Sequence, residues 1–203
     1  VGAPNYFAVV WQYLNTVSFY KFHVDWTRLS QSTFTGPFNS LTATSWPNAN
    51  VPNAATTANS NDVLQIRLMM QNQYTNIGGV ESLWNTHTTR YLTTAGLAAP
   101  RYYQTVLTGG TPDANTLQAA SWQPDATARY IPSIAVDRVG NMAMGYSVSS
   151  STLNPALRYA GRLATDPINT FSQTETSLFE GGGSQNTTNR WGDYSAMSVA
   201  PDG

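Results

Sequence analysis

The sequence predicts an all-β protein, and three observations support this prediction. The stretch 131–148 consists of an apolar run, a turn signal with Asp, Gly and Asn at 137–141, and a second apolar run, which is the pattern of a β-hairpin. Similar units recur along the chain. No segment combines a sustained helical period with capping residues. Because the hairpin carries little charge on either face, we expect stacked sheets to cover both faces.

Taken in order, the β-prone runs and the turn residues between them predict a series of short strands. The predicted strands are 6–14, 17–26, 30–37, 62–71, 80–88, 100–107, 116–122, 134–136, 142–148, 156–162, 173–179 and 196–199. The stretch 39–61, rich in Thr, Asn, Ala and Pro, predicts a long surface connection. Within 17–26, alternation predicts that the face with Tyr20, Phe22 and Trp26 belongs to the core.

The predicted strands fall into a repeating unit. The residues 133–136, followed by Gly140, match 196–199, followed by Gly203, so that Met197 takes the position of Ile134 in the next unit. Leu68 aligns with Ile134 at a similar offset in the preceding unit. A unit of roughly 60 residues with about four antiparallel strands is typical of a β-propeller blade with inserted loops.

We therefore predict a single partial β-propeller domain over 1–203, with blades near 5–50, 62–123 and 130–180 and the start of another at 190–203. Propellers close with about four to eight blades. The three blades predicted here are thus expected to be an internal piece of a larger propeller, or to close by self-association. The alternative fold is a β-sandwich.

Composition narrows the classes of function. Charged residues make up 10% of the 203 residues, Lys21 is the only lysine and the net charge is −1, which gives no electrostatic reason to expect a nucleic acid or an anionic membrane as partner. No apolar run is long enough to predict membrane insertion. The chain has no cysteine, so disulfides and thiolate metal sites are excluded. A surface rich in Thr, Asn and Gln without thiols is common in exported bacterial proteins.

Several motifs together resemble those of a group of large secreted bacterial proteins that are themselves predicted β-propellers. The motifs are 22–26 (FHVDW), 32–37 (STFTGP), 81–88 (ESLWNTHT), 133–141 (SIAVDRVGN), 145–147 (GYS), 158–162 (RYAGR) and 190–195 (RWGDYS). The resemblance covers nearly the whole chain. It implies export and a propeller body, often inside a multidomain chain, and it brings no assigned reaction. Sialidases share this general architecture, although their turn motif matches 135–140 and 198–203 only loosely.

These observations favour an extracellular, non-enzymatic propeller that binds or scaffolds, with a glycan or a protein surface as ligand and with further blades of the same or a neighbouring chain as partners. One alternative is an exported carbohydrate-active hydrolase of sialidase-like architecture. Another is a structural subunit of a surface assembly, whose exposed strand edges would pair with another chain.

The polar and aromatic cluster of Arg190, Trp191, Asp193 and Tyr194 is the first candidate ligand site. Its functional interpretation is a stacking platform in which aromatic faces bind sugar rings and the charged groups bind hydroxyls. Its structural interpretation is that Trp191 packs between blades while Asp193 pairs with Arg190 and bonds a turn. The structural interpretation is favoured.

A second candidate site is Glu81 with Trp84, beside which a sugar could bind. Glycoside hydrolysis needs two carboxyl groups, or a Tyr nucleophile with a carboxylate helper. The structural interpretation, that Glu81 is an ordinary residue at a strand end, is favoured.

His23 and Asp25 share a strand face, and His87 is the second of two histidines, so these three are weak candidates for a metal site. Buried histidines more often bond the backbone. No cofactor is predicted, and a structural Ca²⁺ ion is left open. No Gly-x-Ser-x-Gly motif supports a Ser-His-Asp triad.

Overall fold

The computed structural model describes residues 3–11, 16–42, 50–53, 56–90 and 97–203. The described chain is all-β, as predicted, and its only helical element is a short 3₁₀ turn at Leu29–Gln31. The strands are β1 (Asn5–Trp11), β2 (Thr16–His23), β3 (Thr33–Thr42), β4 (Asn50–Asn53), β5 (Thr56–Asp62), β6 (Gln73–Ile77), β7 (Val80–Arg90), β8 (Ala98–Thr108), β9 (Thr111–Ser121), β10 (Ala128–Val136), β11 (Met142–Ser149), β12 (Ala156–Arg162) and β13 (Gln173–Phe179).

These strands form four antiparallel sheets in which every strand pairs with its neighbour in the chain. We call β1-β2-β3 the N-terminal sheet, β6-β7-β8-β9 the central sheet and β10-β11-β12-β13 the C-terminal sheet. The strands β4 and β5 form a separate two-stranded ribbon. Successive hairpins joined by short turns explain this simple order, because a two-residue turn such as Gly78–Gly79 returns the chain beside the strand it has just left.

The central sheet lies between the other two, with one apolar layer on each face. On one face Leu83 and Tyr103 pack against Val10, Val17 and Phe19 of the N-terminal sheet. The residues that follow Leu83 and precede Tyr103 in the chain point the other way, because side chains alternate along a strand. Those residues, Trp84 and Tyr102, pack against Ile134, Val136 and Met142 of the C-terminal sheet.

The hairpin of β10 and β11 lies in the interior. Every residue of β10 is buried, and β11 is buried over most of its length. The prediction that both faces of this hairpin are covered is therefore confirmed. The C-terminal sheet becomes progressively more exposed towards β13, whose residues are nearly all exposed.

A side chain adds a polar link between the central and the C-terminal sheets. The amide of Gln73 accepts a hydrogen bond from the Val136 N–H at 2.8 Å and donates one to the Val136 carbonyl at 2.7 Å. Gln73 thus gives the end of β10 the pair of bonds that a neighbouring strand would supply.

Three details differ from the sequence prediction. The first arm of the hairpin that ends in Gly78–Gly79 is Gln73–Ile77, whereas 62–71 holds only the last residue of β5 and then turns and coil. The core face of β2 carries Val17 and Phe19, both fully buried, rather than the predicted face. The pairing with β1 decides this, because Ala8 and Val10 lie opposite these two residues and face the central sheet.

The third difference is at the C-terminal end of the chain. No strand is assigned within 180–203, so the predicted strand 196–199 is not formed there. The predicted connection 39–61 lies partly outside the described residues, and its described part contains the end of β3, the ribbon strand β4 and most of β5.

The turn that follows 196–199 nevertheless repeats the earlier one. The Gly140 N–H donates to the Asp137 carbonyl at 3.1 Å, and the Gly203 N–H donates to the Ala200 carbonyl at 2.9 Å. Both glycines have a positive φ, 94° and 89°, which a side chain would strain. The stack of sheets is compatible both with blades of a propeller and with a β-sandwich.

Candidate functional site

A cavity of about 410 Å³ opens between the N-terminal and central sheets. It is lined by Ala3, Pro4, Asn5, Tyr6, Asn72, Tyr74, Glu81, Leu83 and Gly110. The hairpin β6-β7 places three of these residues together, because Tyr74 pairs with Leu83 and the adjacent pair on the same face of the sheet is Asn76 with Glu81. The cavity therefore has an apolar floor at Leu83 and a polar wall at Glu81.

The polar wall is organised by two tyrosines. The Tyr74 hydroxyl donates a hydrogen bond of 2.5 Å to Glu81 Oε1. The Tyr6 hydroxyl donates to the carbonyl of Gly110 at 2.9 Å, which holds its ring at the rim. Tyr74 is 47% exposed and lines the cavity, so part of its side chain is accessible to a ligand. A half-exposed tyrosine offers an apolar face and a polar tip to the same ligand.

The charge of Glu81 is not neutralised by an ion pair with any Arg or Lys in the part of the chain that the structure describes. Its negative charge is felt by both phenols. The hydrogen bond to Glu81, with burial and its charge, raises the pKa of Tyr74. Burial, followed by the charge of Glu81, raises the pKa of Tyr6. Both phenols therefore stay protonated at neutral pH and keep their hydrogen bonds to Glu81 and to the Gly110 carbonyl.

Asn72 supports the wall rather than offering free groups. Its Nδ2 donates to the Tyr6 carbonyl at 2.8 Å, and its Oδ1 accepts from Asn85 Nδ2 at 2.9 Å. Both ends of the amide are engaged, so Asn72 fixes β1 to the central sheet beside the cavity.

The structure separates the two residues of the predicted sugar site. Glu81 lies in the cavity, whereas Trp84 is 2% exposed and packs on the opposite face of the central sheet. The Trp84 Nε1–H donates to Thr75 Oγ1 at 2.9 Å, so the indole is fully engaged. Sequence reasoning missed Tyr74 because it placed the first arm of this hairpin at 62–71. The Gly78–Gly79 turn was the signal that could have placed Tyr74 near Glu81.

Within the Arg190 cluster, Arg190 and Asp193 form an ion pair. Arg190 binds both carboxylate oxygens of Asp193, at 3.2 and 3.1 Å, and lies 3.7 Å from Asp62. Trp191 packs against the apolar cluster that contains Tyr130. A role of this cluster in ligand binding stays a prediction.

Tyr194 of the same cluster contacts Arg67. Its hydroxyl accepts a hydrogen bond of 2.6 Å from Arg67 Nη1, and the Arg67 guanidinium lies 5.5 Å from the ring centroid. The partners of the Arg190 cluster are thus groups of the chain itself, which agrees with the structural interpretation.

Two of the three weak metal candidates, Asp25 and His87, contact other groups of the chain. The Asp25 carboxylate accepts from the backbone N–H groups of Thr27 and Arg28, and so holds the turn after β2, the strand that ends at His23. His87 is fully buried, with Nε2 3.0 Å from the Tyr103 hydroxyl. No group of three His, Asp or Glu side chains suited to a metal occurs among the described residues. His87 is thus explained by packing within the central sheet.

Burial, with the nearby charge of Arg101, lowers the pKa of His87 to about 3. Burial also raises the pKa of Tyr103 to about 12. The pair is therefore neutral across the physiological range and forms a stacked contact with ring centroids 5.6 Å apart.

A network of charged side chains, which no local sequence pattern predicts, lies in the C-terminal sheet. The fully buried Arg129 binds both oxygens of Glu175, at 2.7 and 2.9 Å, and both oxygens of Asp125. Glu175 also accepts from the Tyr146 hydroxyl at 2.7 Å and from Arg158. Arg129, Tyr146, Arg158 and Glu175 lie on the four successive strands β10 to β13. Their side chains come together only in the folded sheet, so the network cannot be predicted from neighbouring residues in the sequence.

Three other arginines of the chain are each bound to groups of the chain itself. Arg67 binds Tyr194, Arg162 donates to the Asp166 carbonyl, and Arg158 pairs with Glu180 and Glu175. The carboxylate of Asp137 accepts from the N–H groups of its own turn. Neither set of groups faces the cavity at Glu81.

Comparison with protein-family models, curated proteins and solved structures finds no match. The described part of the chain contains no helix of the length and apolar character that would cross a membrane. The geometry of the cavity at Glu81 is therefore the main guide to function.

Proposed function

We propose that the chain is an extracellular, non-enzymatic module of β-propeller type, and that it binds neutral glycans in the cavity around Glu81. The observation that carries the proposal is the arrangement of Tyr74 and Glu81 in an open cavity of about 410 Å³. Binding pockets combine apolar walls with a few fixed polar groups. Here the apolar wall is Leu83, and the polar groups are a carboxylate and two phenols.

The chemistry of these groups favours a polyhydroxylated ligand without negative charge. An ionised carboxylate only accepts hydrogen bonds, and sugar hydroxyls can donate to the free lone pairs of Glu81. An acidic sugar would bring a like charge close to Glu81, which is unfavourable. The half-exposed ring of Tyr74 supplies the apolar face on which a sugar ring can rest.

The propeller part of the proposal is supported by the repeated sheets. The two four-stranded sheets are antiparallel meanders in chain order, and successive sheets pack face to face. The turns of two consecutive repeats form the same hydrogen bond, from Gly140 to Asp137 and from Gly203 to Ala200. An extracellular location rests on the cysteine-free, lysine-poor composition and on the resemblance to secreted proteins.

The test is calorimetric titration of the protein with neutral oligosaccharides and, in parallel, with uronic acid oligomers. We expect binding of a neutral sugar and at least a roughly tenfold loss of affinity in Glu81→Gln, because hydrogen bonds to a charged group contribute about 1.5–3 kcal/mol. The control Glu180→Gln makes the same change at a distant residue and should keep full affinity. Equal affinity of Glu81→Gln and the wild type would contradict the proposal.

A hydrolase is the second candidate, and the contact between Tyr74 and Glu81 is the observation that favours it. One class of glycosidase uses a tyrosine nucleophile assisted by a carboxylate. Incubation with aryl glycosides tests this function directly. If the wild type hydrolyses an aryl glycoside and Tyr74→Phe does not, the function of the cavity is hydrolysis rather than binding alone.

A further inference from the structure

A cavity of about 260 Å³ opens between the central and the C-terminal sheets. Residues from all four strands of the central sheet line one side of it. Arg162, the turn between β10 and β11 and the loop after β12 line the other side. Its lining includes Trp84, which packs on the face of the central sheet opposite the cavity at Glu81. The two cavities are therefore separate sites.

Arg162 is the only charged residue among the described residues that line this cavity. It is the last residue of β12 and pairs with Met142 of β11. Side chains of paired residues lie on the same face of a sheet, and Met142 packs against Trp84 and Tyr102 of the central sheet. Arg162 is only 5% exposed, so its guanidinium lies between the two sheets rather than in bulk water.

The charge of Arg162 is buried without a counter-charge. No Asp or Glu lies within ion-pair distance of its guanidinium in the described part of the chain, which includes every Asp and Glu of the sequence. Its Nη2 donates to the Asp166 carbonyl at 3.0 Å, whereas its Nε is buried and has no hydrogen-bond partner. A buried charge is costly unless it is paired, as Arg129 is with Glu175 and Asp125. Arg162 therefore has a charge and a donor group available to an anion.

Two buried glutamines in the lining, Gln104 and Gln118, add further donors. Gln118 Nε2 donates to Gln104 Oε1 at 2.6 Å, and Gln104 Nε2 donates to Ser82 Oγ at 3.0 Å. Gln118 Oε1 accepts from the Tyr102 hydroxyl at 2.9 Å. Both amide oxygens thus accept a hydrogen bond already, while each NH₂ group carries a second hydrogen beyond the bond it makes. This wall of the cavity favours a ligand that accepts hydrogen bonds.

Much of the remaining lining is apolar and exposed. Val80, Leu117, Val139 and Ile168 all line the cavity and are between 45% and 58% exposed. Single exposed apolar side chains are common on protein surfaces, but these four come from two strands and two loops and meet at one cavity. An apolar rim beside a buried cation matches a ligand that has an anionic end and an apolar body.

We propose that this cavity binds a small organic monocarboxylate. The carboxylate lies on Arg162 and the two glutamine NH₂ groups, and the hydrocarbon part lies against the apolar rim. The planar guanidinium matches the two oxygens of a carboxylate, and no acidic side chain among the described lining residues repels it. Sites for drug-sized ligands have volumes of about 300–1,000 Å³, so a cavity of 260 Å³ selects a compact ligand. This binding is independent of glycan binding at Glu81.

The first test is calorimetric titration with hexanoate and with hexanamide, which has a similar shape but no charge. We expect hexanoate to bind at least about tenfold more tightly than hexanamide, and about tenfold less tightly to Arg162→Met than to the wild type, because charged hydrogen bonds are strong. The control Arg28→Met makes the same change at an arginine whose side chain is 65% exposed, and should keep full affinity.

Three results would overturn the proposal. The first is an absence of hexanoate binding, and the second is equal affinity for hexanoate in Arg162→Met and the wild type. The third comes from a parallel titration with inorganic sulfate. Sulfate that binds as tightly as hexanoate would show that the apolar rim contributes nothing and that the ligand is not an organic acid.

The second test does not depend on a change at the buried arginine. Ile168 is 52% exposed at the rim, so Ile168→Asp and Ile168→Asn should both fold. We expect hexanoate to bind about threefold or more weakly to Ile168→Asp than to Ile168→Asn, because the two variants differ only by a charge that repels the carboxylate. Salt should reduce the difference. Equal affinities of the two variants at low salt would place the carboxylate elsewhere and contradict the site.

Discussion

Two glutamates of this protein bind a tyrosine hydroxyl, and their surroundings differ in every other respect. Glu175 accepts from Tyr146 at 2.7 Å, is 15% exposed and is bound by two arginines, Arg129 and Arg158. Glu81 accepts from Tyr74 at 2.5 Å, lies in an open cavity and has no arginine or lysine paired with it among the described residues. The same pair of groups is thus part of the core in one sheet and part of a candidate site in another.

The comparison shows that charge compensation separates a structural carboxylate from one available to a ligand. Burial alone would raise the pKa of Glu175, but the hydrogen bonds from Arg129 and the other donors outweigh burial and lower that pKa. Removing a partner there leaves a charge in a low-dielectric interior, which is costly. Glu81 keeps its access to solvent, so its remaining lone pairs can bind a ligand without first breaking an ion pair.

The largest expected effect is on the buried network. Arg129→Met keeps an apolar stem of similar length but removes the charge that Glu175 and Asp125 share. We expect the free energy of unfolding to fall by about 3 kcal/mol, since breaking a buried pair costs this much. Urea denaturation measures it. The control Arg28→Ala breaks an ion pair whose arginine side chain is 65% exposed, and should cost less than about 0.5 kcal/mol. Equal losses of unfolding free energy in Arg129→Met and Arg28→Ala would show that the buried network around Glu175 is not a structural part of the core.

An intermediate effect is expected from pH. The pKa of His87 is about 3 in the folded chain against 6.5 for the free group, so the unfolded state binds more protons between these values. Stability is therefore full above pH 6.5 and falls by about 1.4 kcal/mol per pH unit as the pH drops below that value. Denaturation between pH 5 and 8 measures the slope.

The variant His87→Gln removes this titration and should flatten the slope between pH 5 and 6.5. The carboxylates do not interfere in that window. The pKa of Asp125 is lowered to about 2 and that of Glu175 is also lowered, so their contributions are lost only below about pH 4.5. An unchanged slope in His87→Gln would assign the pH dependence to another group.

The smallest expected effect on stability is at the cavity. Tyr74→Phe removes the donor to Glu81 at a half-exposed site, so the free energy of unfolding should change by less than about 0.5 kcal/mol. The matched variant Tyr146→Phe removes the corresponding donor to Glu175 and should cost about 1–3 kcal/mol, because its partner and Trp122 lose a bond inside the sheet. Thermal unfolding of both variants compares them. A larger loss in Tyr74→Phe would make Glu81 a structural residue.

Apart from 196–199, the strands predicted after residue 130 are formed, because their signals are local. The turn at 137–141 and the apolar runs beside it specify β10 and β11, and the predicted strands 156–162 and 173–179 coincide with β12 and β13. The inner face of β2 could not be predicted, since it depends on β1. The aromatic face of β2 looked apolar enough for a core and became an end face of the stack.

The candidate site could be predicted only in part. Glu81 was recognised from its neighbours in the sequence, but Trp84, three residues further on, points to the other face of the strand. Tyr6 reaches the cavity from a different sheet, and nothing near it in the sequence indicates this. Long-range packing, rather than residue type, decided which side chains share the cavity.

The two hydrogen bonds of Gln73 restrict which residue types can occupy position 73. Its side chain both donates to and accepts from the Val136 peptide group, so position 73 must carry a donor and an acceptor on one planar group. A glutamate would set its charge against the Val136 carbonyl, and an asparagine is one methylene too short. A single amide thus joins the first strand of the central sheet to the end of the first strand of the C-terminal sheet, a contact that a purely apolar interface between the sheets would lack.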